Sequence, residues 1–481
     1  MRRAFLTNII LLAAANLLIK PFYLFGIERK VQFLLGNEAY GYYYNLFNFT
    51  LILQFIGDFG LQNYTLRLLS QNRSQTANVV GAMNGLKIAL TLIYFLLTLL
   101  MAWIWYGSTM DAGFIFHLAF NQVLISLIFF LRAQIAGLGF YKTDSLLSVS
   151  DRLILICSLG CLIYLPGLTD LLTVATFVWV QTFSLGLVTL FCILFIAGKG
   201  IKFFPLKVDF NAWINAFRFC IPFALIYFTN ALFSKADSIW LQRLLPDGQS
   251  EAGIYAYCYR FYDALCIISL SFGGLLLPMF ARLHQDDQRR QLLLKASMNM
   301  LWIISVILGL GCFFFSDELQ KYVTKDMSEH SQKIIGWLAL SFVPGSMNYI
   351  FGAFFQATHR ERLLYRIYAG VAVLSIILNY IFIPQWKGEG SALVCMISQS
   401  ILLLISSVFI WEEIRRIGFQ FFRWMIFSLL TASIMYVVQK STWGDLSFRL
   451  FILFVSLPCL AYLTGVLRPS DIREWIADTN K

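Results

Sequence analysis

Apolar runs long enough to cross a lipid bilayer recur along the whole sequence. A membrane-spanning helix needs about 20 mostly apolar residues, and the sequence contains about 14 such runs. They begin near Phe5, Tyr40, Val79, Ala112, Ser145, Leu168, Trp213, Gly253, Leu292, Ile334, Leu363, Gly390, Phe422 and Arg449. Of the 481 residues, 59% are hydrophobic and 13% are charged, a composition too apolar for a soluble core of this length. We therefore predict an all-α, polytopic membrane protein.

The lysine and arginine residues between the apolar runs indicate the orientation of the chain. If the N-terminus is cytoplasmic, twenty of these residues fall on the cytoplasmic side and six on the outer side. The six are Arg243, Lys321, Lys325, Lys333, Lys387 and Lys440. Because positive charge concentrates in cytoplasmic loops, we expect both termini to be cytoplasmic. The net charge of +11 is spread over these short clusters and does not indicate a nucleic-acid partner.

The connections between the runs are short, and the longest predicted cytoplasmic connection lies near the middle of the chain. We expect an N-terminal lobe with spans 1 to 6 at 1–197, a linker at 198–211, a C-terminal lobe with spans 7 to 12 at 212–412, and two extra spans with a tail at 413–481. No connection is long enough to hold a soluble catalytic domain.

An internal repeat supports this division. The segment Leu34–Tyr43 is similar to the segment from Leu244 to Tyr255, and the segment 133–142 is similar to 353–362. Each repeat links corresponding spans of the two predicted lobes. Duplicated, pseudo-symmetric six-helix lobes are a common plan in transporters, in which the substrate path lies between the repeats.

Three groups of motifs lie in order along these repeats. The first is LGNEAYG at Leu35–Gly41 with DFGL at Asp58–Leu61. The second is FRFCIP at Phe217–Pro222, with KAD at Lys235–Asp237 and AGIY at Ala252–Tyr255. The third is LNYIFIP at Leu378–Pro384 with GEGSA at Gly388–Ala392. In order and spacing these motifs resemble the polysaccharide flippase family, whose superfamily also contains multidrug and toxin extruders and lipid II flippases. The first span is more highly charged than in that family, since it carries Lys20, Glu28, Arg29 and Lys30.

The resemblance implies a cargo and a mechanism. Members of the family move oligosaccharides linked to a polyprenyl pyrophosphate from the cytoplasmic to the outer leaflet, for surface polysaccharides such as the O-antigen of lipopolysaccharide. It implies alternating access of a cationic central cavity, in the bacterial cytoplasmic (inner) membrane. Membrane lipid and the lipid-linked oligosaccharide are then the expected partners.

Cations inside the spans are the candidate ligands of the pyrophosphate. Charged side chains in the hydrocarbon are costly and usually face a polar cavity or one another. Lys20 lies roughly 22 Å along the first helix at 1.5 Å per residue. The candidates are Lys20, Lys87, Lys235 and Arg260. The alternative is internal pairing, of Arg260 with Asp263 or of Lys235 with Asp237 or Glu28.

Carboxylates inside the spans are candidate charge partners or sites of coupling to H⁺ or Na⁺. They are Glu28, Asp58, Asp237 and Asp263. Asp58 lies between Gly57 and Gly60, and a carboxylate at low dielectric can hold a proton near neutral pH. Equally, Asp58 can cap the short helix that follows. Both interpretations stay open.

Other polar and aromatic residues are assigned structural roles. We expect His117 to be a packing histidine and Tyr40, Tyr42, Tyr43 and Tyr44 to form an aromatic belt at the membrane interface. The nine cysteines lie in apolar runs without a CxxC pair, which favours buried thiols over disulfides or a metal site.

Three alternative functions are a multidrug antiporter, a lipid II flippase and a membrane enzyme. A multidrug antiporter of the same fold would favour a carboxylate-lined cavity for cationic drugs, whereas the buried charges here are mainly cationic. A lipid II flippase carries the same pyrophosphate, and the sequence does not separate it from a glycan flippase. A membrane enzyme such as a sugar polymerase needs a positioned acid, base or metal; with four histidines and no acidic cluster, we predict no catalytic residue, metal or cofactor.

Overall fold

The computed structural model describes residues 18–71, 76–107, 111–199, 210–283, 286–323, 328–416, 421–441 and 446–466. Within these ranges all of the regular structure is helical. The chain forms two compact units, Met1–Gly253 and Ile254–Lys481. Most of the predicted linker, residues 200–209, falls outside the described residues, as do 1–17 of the first span and 467–481 of the tail. The lobe boundaries therefore stay predictions.

The first unit is built from ten helical segments and the start of an eleventh. The first segment, α1, covers residues 18–35 and includes a π-helical turn at Tyr23–Glu28 followed by Arg29–Leu35. The others are α2 (Asn37–Leu53), α3 (Phe55–Asp58), α4 (Leu61–Gln71), α5 (Thr76–Tyr106), α6 (Ala112–Gly137), α7 (Tyr141–Tyr164), α8 (Val174–Gly198), α9 (Phe210–Lys235) and α10 (Asp237–Leu244). The unit boundary falls inside the next helix, α11 (Gly248–Arg282).

The second unit contains the rest of α11 and the remaining helices. They are α12 (Asp287–Phe314), α13 (Ser316–Val323), α14 (Glu329–Ala357), α15 (Glu361–Phe409), α16 (Trp411–Arg416), α17 (Phe421–Lys440) and α18 (Leu446–Leu463). The long helix α15 is two helices joined at Lys387, whose φ of 51° and ψ of −133° are not helical. It therefore contains the predicted eleventh and twelfth spans.

Ten helices in the described ranges are long and apolar enough to cross a membrane. Because α15 contains two of the predicted spans, these ten helices account for eleven of the fourteen. The second predicted span is divided between α2 and α3, and α18 begins three residues before the expected fourteenth. The prediction of an all-α polytopic fold is confirmed.

The starts of the spans follow from capping. The Asp111 side chain accepts the backbone N–H of Phe114 and begins α6, and Ser328 does the same for Ser331 at the start of α14. The sixth span begins at Val174 and not near Leu168, because a turn of 3₁₀ helix precedes it. An apolar turn cannot be told from a helix start by hydropathy alone.

Some apolar side chains of the helices pack in a protein core, and others are exposed where lipid would lie. In the first unit, α6, α7 and α8 share a core that includes Leu131, Ile135 and Leu185. On α5, by contrast, Leu96 is 67% and Trp103 65% exposed, as expected of side chains that face lipid. Of the ten candidate spans, α6 and α14 are the most buried. They are the fourth and tenth predicted spans. These two spans occupy the same position in two duplicated halves of six spans each.

The two copies of the repeated motif contact each other at glycines. A Cβ atom on Gly41 would collide with the carbonyl oxygen of Gln249 and lie 2.6 Å from the nitrogen of Gly253. A Cβ atom on Gly253 would lie 2.9 Å from the Cα atom of Asn37. Only glycine lets two backbones approach this closely. The start of α2 is therefore docked directly on the start of α11.

Candidate functional site

Lys87 lies on α5 and is buried inside the first unit, with 1% of its side chain exposed. Its ammonium group donates to the carbonyl oxygen of Gly57 at 2.7 Å and to the hydroxyl of Ser126 at 2.5 Å. Its nitrogen also lies 3.7 Å from Asp58 Oδ1. An ammonium group has three donors, and these contacts occupy it. The geometry thus favours pairing of Lys87 with Asp58 over the predicted contact with a diphosphate.

Asp58 ends α3 at a break in the second span. The two residues that follow, Phe59 and Gly60, have φ of 49° and 72°, in the left-handed region. A Cβ atom on Gly60 would lie 3.0 Å from a neighbouring side chain, so both conformation and space require glycine. The Asp58 carboxylate accepts the backbone N–H of Gly60, directly before α4. Asp58 therefore both caps this turn and pairs with Lys87.

A row of polar side chains continues from this pair through the interior of the first unit, and we call it the polar stripe. It consists of Thr50, Gln54 and Asp58 along α2 and α3, Lys87, Thr91, Tyr94 and Thr98 along α5, and Gln122 and Ser126 on α6. Spacings of three and four residues place each set on one helix face. The stripe is thus formed where three spans meet.

Hydrogen bonds join the members of the polar stripe across helices. The Gln54 amide donates to the carbonyl oxygen of Gln122 at 3.3 Å, and the Tyr94 hydroxyl donates to the carbonyl oxygen of Thr50 at 3.1 Å. From α9, the Tyr227 hydroxyl donates to Gln54 Oε1 at 3.1 Å. This polar interior is unusual for a bundle whose helices face lipid.

Lys20 lies on α1 and is half-buried. Among the described residues it forms no ion pair within 4.0 Å, but it is within electrostatic reach of Arg152 and Asp151 on α7. The Arg152 guanidinium carbon lies 4.9 Å from the ring centroid of Tyr23, one turn after Lys20. Arg152 Nε is 3.5 Å from Asp151 Oδ2. Lys20 and Arg152 are therefore two cations within electrostatic reach of each other between α1 and α7.

Glu28 ends the π-helical turn of α1 and is buried, with 3% exposed. Its Oε1 accepts the hydroxyl of Tyr40 on α2 at 2.7 Å. Tyr40, Tyr43 and Tyr44 are each at most 1% exposed. The prediction of an interfacial tyrosine belt is therefore wrong for these three residues, because they pack in the interior of the first unit, where Tyr40 donates to the buried Glu28.

Lys235 and Asp237 lie on either side of the break between α9 and α10. Lys235 is the last residue of α9, and Asp237 is the first of α10 and 3% exposed. The next residue, Ser238, accepts the side-chain amide of Asn48 at 3.0 Å, which holds α10 against α2. The break thus places one cation and one carboxylate at a junction with the second span.

Arg260 and Asp263 lie one turn apart on α11, in the second unit. Arg260 Nη1 is 3.5 Å from Asp263 Oδ2, and their side chains are 18% and 25% exposed. The internal pairing considered as an alternative is therefore present. A guanidinium group carries five N–H donors in a planar fork, and this one is partly exposed.

His117 lies on α6 with Nε2 2.6 Å from the Thr182 hydroxyl and its ring 4.2 Å from that of Trp179. These contacts agree with a packing histidine. Gln54, Gln122 and Tyr227 were not among the site residues predicted from the sequence. A helical projection of each span could have found the polar stripe, since its members share faces, whereas the contact of Arg152 with Tyr23 joins residues far apart in sequence.

The comparisons with known proteins agree with this architecture. The polysaccharide biosynthesis protein family matches residues 5–284, and the MatE family matches residues 222–381. No curated protein matches the sequence significantly.

Solved structures with the same fold are membrane transporters. The lipid II flippase MurJ in an inward closed conformation has a TM-score of 0.68 and 13% identity, over 95% of this chain and 98% of that chain. An inward-facing multidrug resistance MATE family transporter has a TM-score of 0.62 and 13% identity, over 84% and 99%. A transporter of the MOP superfamily from Pyrococcus furiosus has a TM-score of 0.60 and 12% identity, over 86% and 96%. Since the first family match covers more than half of the sequence, the chain belongs to the polysaccharide biosynthesis protein family, within the MOP superfamily of membrane flippases and transporters.

Proposed function

We propose that this protein moves an oligosaccharide linked to a polyprenyl pyrophosphate from the cytoplasmic to the outer leaflet of the bacterial cytoplasmic membrane. The cargo serves the synthesis of a surface polysaccharide such as the O-antigen of lipopolysaccharide. Transport proceeds by alternating access, with both termini in the cytoplasm. The family match supports a role in polysaccharide synthesis, and the charges inside the spans support a diphosphate headgroup.

The observation that carries the proposal is the position of Lys20 inside a span, with a second cation, Arg152, within electrostatic reach. A half-buried ammonium group inside a span, beside Arg152 and with Asp151 as the nearby carboxylate, attracts an anion. A diphosphate is an anionic headgroup that cannot cross the hydrocarbon without compensation. A cavity selective for cationic drugs would need carboxylates at these positions instead.

The other cations have distinct assignments in this proposal. Arg260 grips phosphate oxygens as a planar fork while Asp263 orients it, and Lys20 acts as a point charge. Lys235, at the junction of α9 and α10, is a further phosphate ligand. Lys87 is the partner of Asp58 and takes no part in cargo binding.

Replacing Lys20 or Arg260 by alanine is expected to abolish export of surface glycan while the amount of protein in the membrane stays normal. Loss of one charged contact costs about 2 kcal/mol, or about thirtyfold in affinity. The measurement is complementation of a transport-deficient strain, with surface glycan and membrane protein quantified together. Lys333→Ala and Arg289→Ala are the matched controls, because these side chains are 48% and 47% exposed at helix starts.

The proposal is contradicted if Lys20→Ala and Arg260→Ala both restore full glycan export. A strain that needs lipid II transport supplies a second arm. Rescue of that strain, without rescue of glycan export, would assign the protein to cell-wall synthesis instead.

A further inference from the structure

The first half of α15, before the break at Lys387, has one exposed face. Its exposed residues between 361 and 380 recur at spacings of three and four, which places them on one side of the helix. Farther along this face Val373 is 58%, Ile377 51% and Tyr380 65% exposed, as expected of side chains that face lipid. The same face begins with two exposed arginines, Arg362 and Arg366. It therefore has a charged end and an apolar remainder.

Neither arginine forms an ion pair in the part of the chain that the structure describes. The neighbouring carboxylates face other groups. Glu361 Oε1 lies 3.7 Å from His359 Nδ1, and Glu413 on α16 accepts the guanidinium group of Arg360 at 3.0 Å. Arginine stays charged at every physiological pH. The two guanidinium groups are thus available to an anion from outside the protein.

The first copy of the internal repeat shows that the fold does not require the second arginine. Residues 133–142 are similar to 353–362, so Lys142 at the start of α7 corresponds to Arg362. One turn later the first copy has Leu146, which is 63% exposed, where the second copy has Arg366. Leucine suits a lipid-facing position, whereas a charge there is costly unless it meets the headgroups. Arg366 therefore indicates a partner in the headgroup layer.

The geometry of the pair fits a headgroup phosphate. Arg366 lies roughly 8 Å along α15 at 1.5 Å per residue, and helical side chains point back toward the start of their helix. Residues four apart on a helix are about 6 Å from each other. Each guanidinium fork binds two phosphate oxygens. One turn further, a Cβ atom on Gly370 would meet nothing within 4 Å, so the helix surface there is open to an acyl chain.

We propose that Arg362 and Arg366 form a binding site for an anionic phospholipid. The phosphate lies between the two guanidinium groups, and an acyl chain follows Gly370, Val373 and Ile377. With both termini in the cytoplasm, this end of α15 lies in the cytoplasmic leaflet. An anionic headgroup is favoured over a zwitterionic one because it brings no cation of its own to the arginines. The site goes beyond the proposed transport function, since it fastens the start of the eleventh span to the membrane.

The lipid-linked cargo is a weaker candidate for this face. It also carries an anionic phosphate group next to an apolar tail. A sugar chain, however, needs hydrogen-bonding partners, and the face beyond the arginines exposes glycine and apolar side chains up to Tyr380. A phospholipid headgroup has no such requirement. The apolar character of the face therefore favours a lipid of the membrane itself.

The test is thermal unfolding of the full chain in detergent, followed by the loss of monodisperse protein. Phosphatidylglycerol and phosphatidylcholine with the same acyl chains are added in parallel. Phosphatidylglycerol is expected to raise the unfolding temperature of the wild-type protein by about 3 °C more than phosphatidylcholine does. Arg362→Gln combined with Arg366→Gln should lose this difference. An equal rise with both lipids, or a difference that persists in the double variant, overturns the proposal.

Two single variants use the repeat as an internal control. Lys142→Gln removes the corresponding cation of the first copy and should keep the full difference between the lipids. If it loses the difference as the double variant does, the effect belongs to surface charge in general and the proposal is wrong. Arg366→Leu introduces the residue that the first copy tolerates, so it serves if the double variant does not fold. It should lose at least half of the difference, and an unchanged difference overturns the site.

A polyprenyl diphosphate is the last probe. If it raises the unfolding temperature more than phosphatidylglycerol does, and the double variant abolishes that rise, the site takes cargo and the assignment to a phospholipid is wrong. A rise that the double variant retains places the diphosphate elsewhere, as the proposal expects. Because no measurement here follows transport, their failure leaves the proposed flippase function untouched, and failure of glycan export leaves the phospholipid site untouched.

Discussion

Replacing Lys87 by methionine is expected to lower the free energy of unfolding of the first unit by about 3 kcal/mol. Lys87 is 1% and Asp58 16% exposed, so removing the ammonium group leaves a carboxylate without its partner in a low-dielectric interior. The carbonyl oxygen of Gly57 and the hydroxyl of Ser126 lose their donor in the same step. This is the largest single-residue effect that the charges of the first unit predict.

The measurement is thermal unfolding of the purified protein in one detergent, followed by the loss of monodisperse protein. The double variant Lys87→Met with Asp58→Asn should recover most of the lost stability, because it removes both charges. Lys333→Met is the control, since that lysine is 48% exposed and pairs with Glu329 one turn away. A double variant no more stable than Lys87→Met would show that the two side chains do not act as a pair.

Replacing Gly41 by alanine is expected to destabilise the protein by about 3 kcal/mol and to reduce the folded protein recovered from membranes. The added methyl group would meet the carbonyl oxygen of Gln249 and the backbone nitrogen of Gly253. Backbone atoms cannot rotate away as a side chain can, so α2 and α11 must separate.

Gly186→Ala is the matched control for this substitution. Gly186 lies in the middle of α8, and a Cβ atom there would meet nothing within 4 Å. Alanine is the better helix former by about 1 kcal/mol, so this variant should be as stable as the wild type or more so. If Gly41→Ala and Gly186→Ala unfold at the same temperature, the glycine contact does not hold the start of α2 against the start of α11.

Much of the fold could be predicted because the membrane imposes it on local sequence. Lipid requires long apolar helices, so the number and order of spans follow from hydropathy. The break in the second span was harder to predict from the sequence. Asp58 and its neighbouring glycines mark the turn, but only the packing of α5 and α6 shows that the turn holds a charge pair.

The charged residues of the candidate site could also be predicted only where they lie on one helix. Helical spacing identified Arg260 with Asp263, because both lie on one helix. It could not identify Lys87 with Asp58 or Lys20 with Arg152, since no sequence period relates residues on different helices. The repeated glycine motif was visible, whereas the contact between its two copies, at Gly41 and Gly253, is a property of the tertiary structure.

The most direct test of the account is transport by the purified protein in liposomes. The probe is a fluorescent N-acetylglucosamine linked to a polyprenyl pyrophosphate, and its movement between leaflets is followed by quenching from outside. We expect the wild-type protein to move this probe, Lys20→Ala with Arg260→Ala to abolish movement, and Arg289→Ala to leave it unchanged. Transport of a cationic dye such as ethidium, without movement of the diphosphate-linked sugar, would contradict the account.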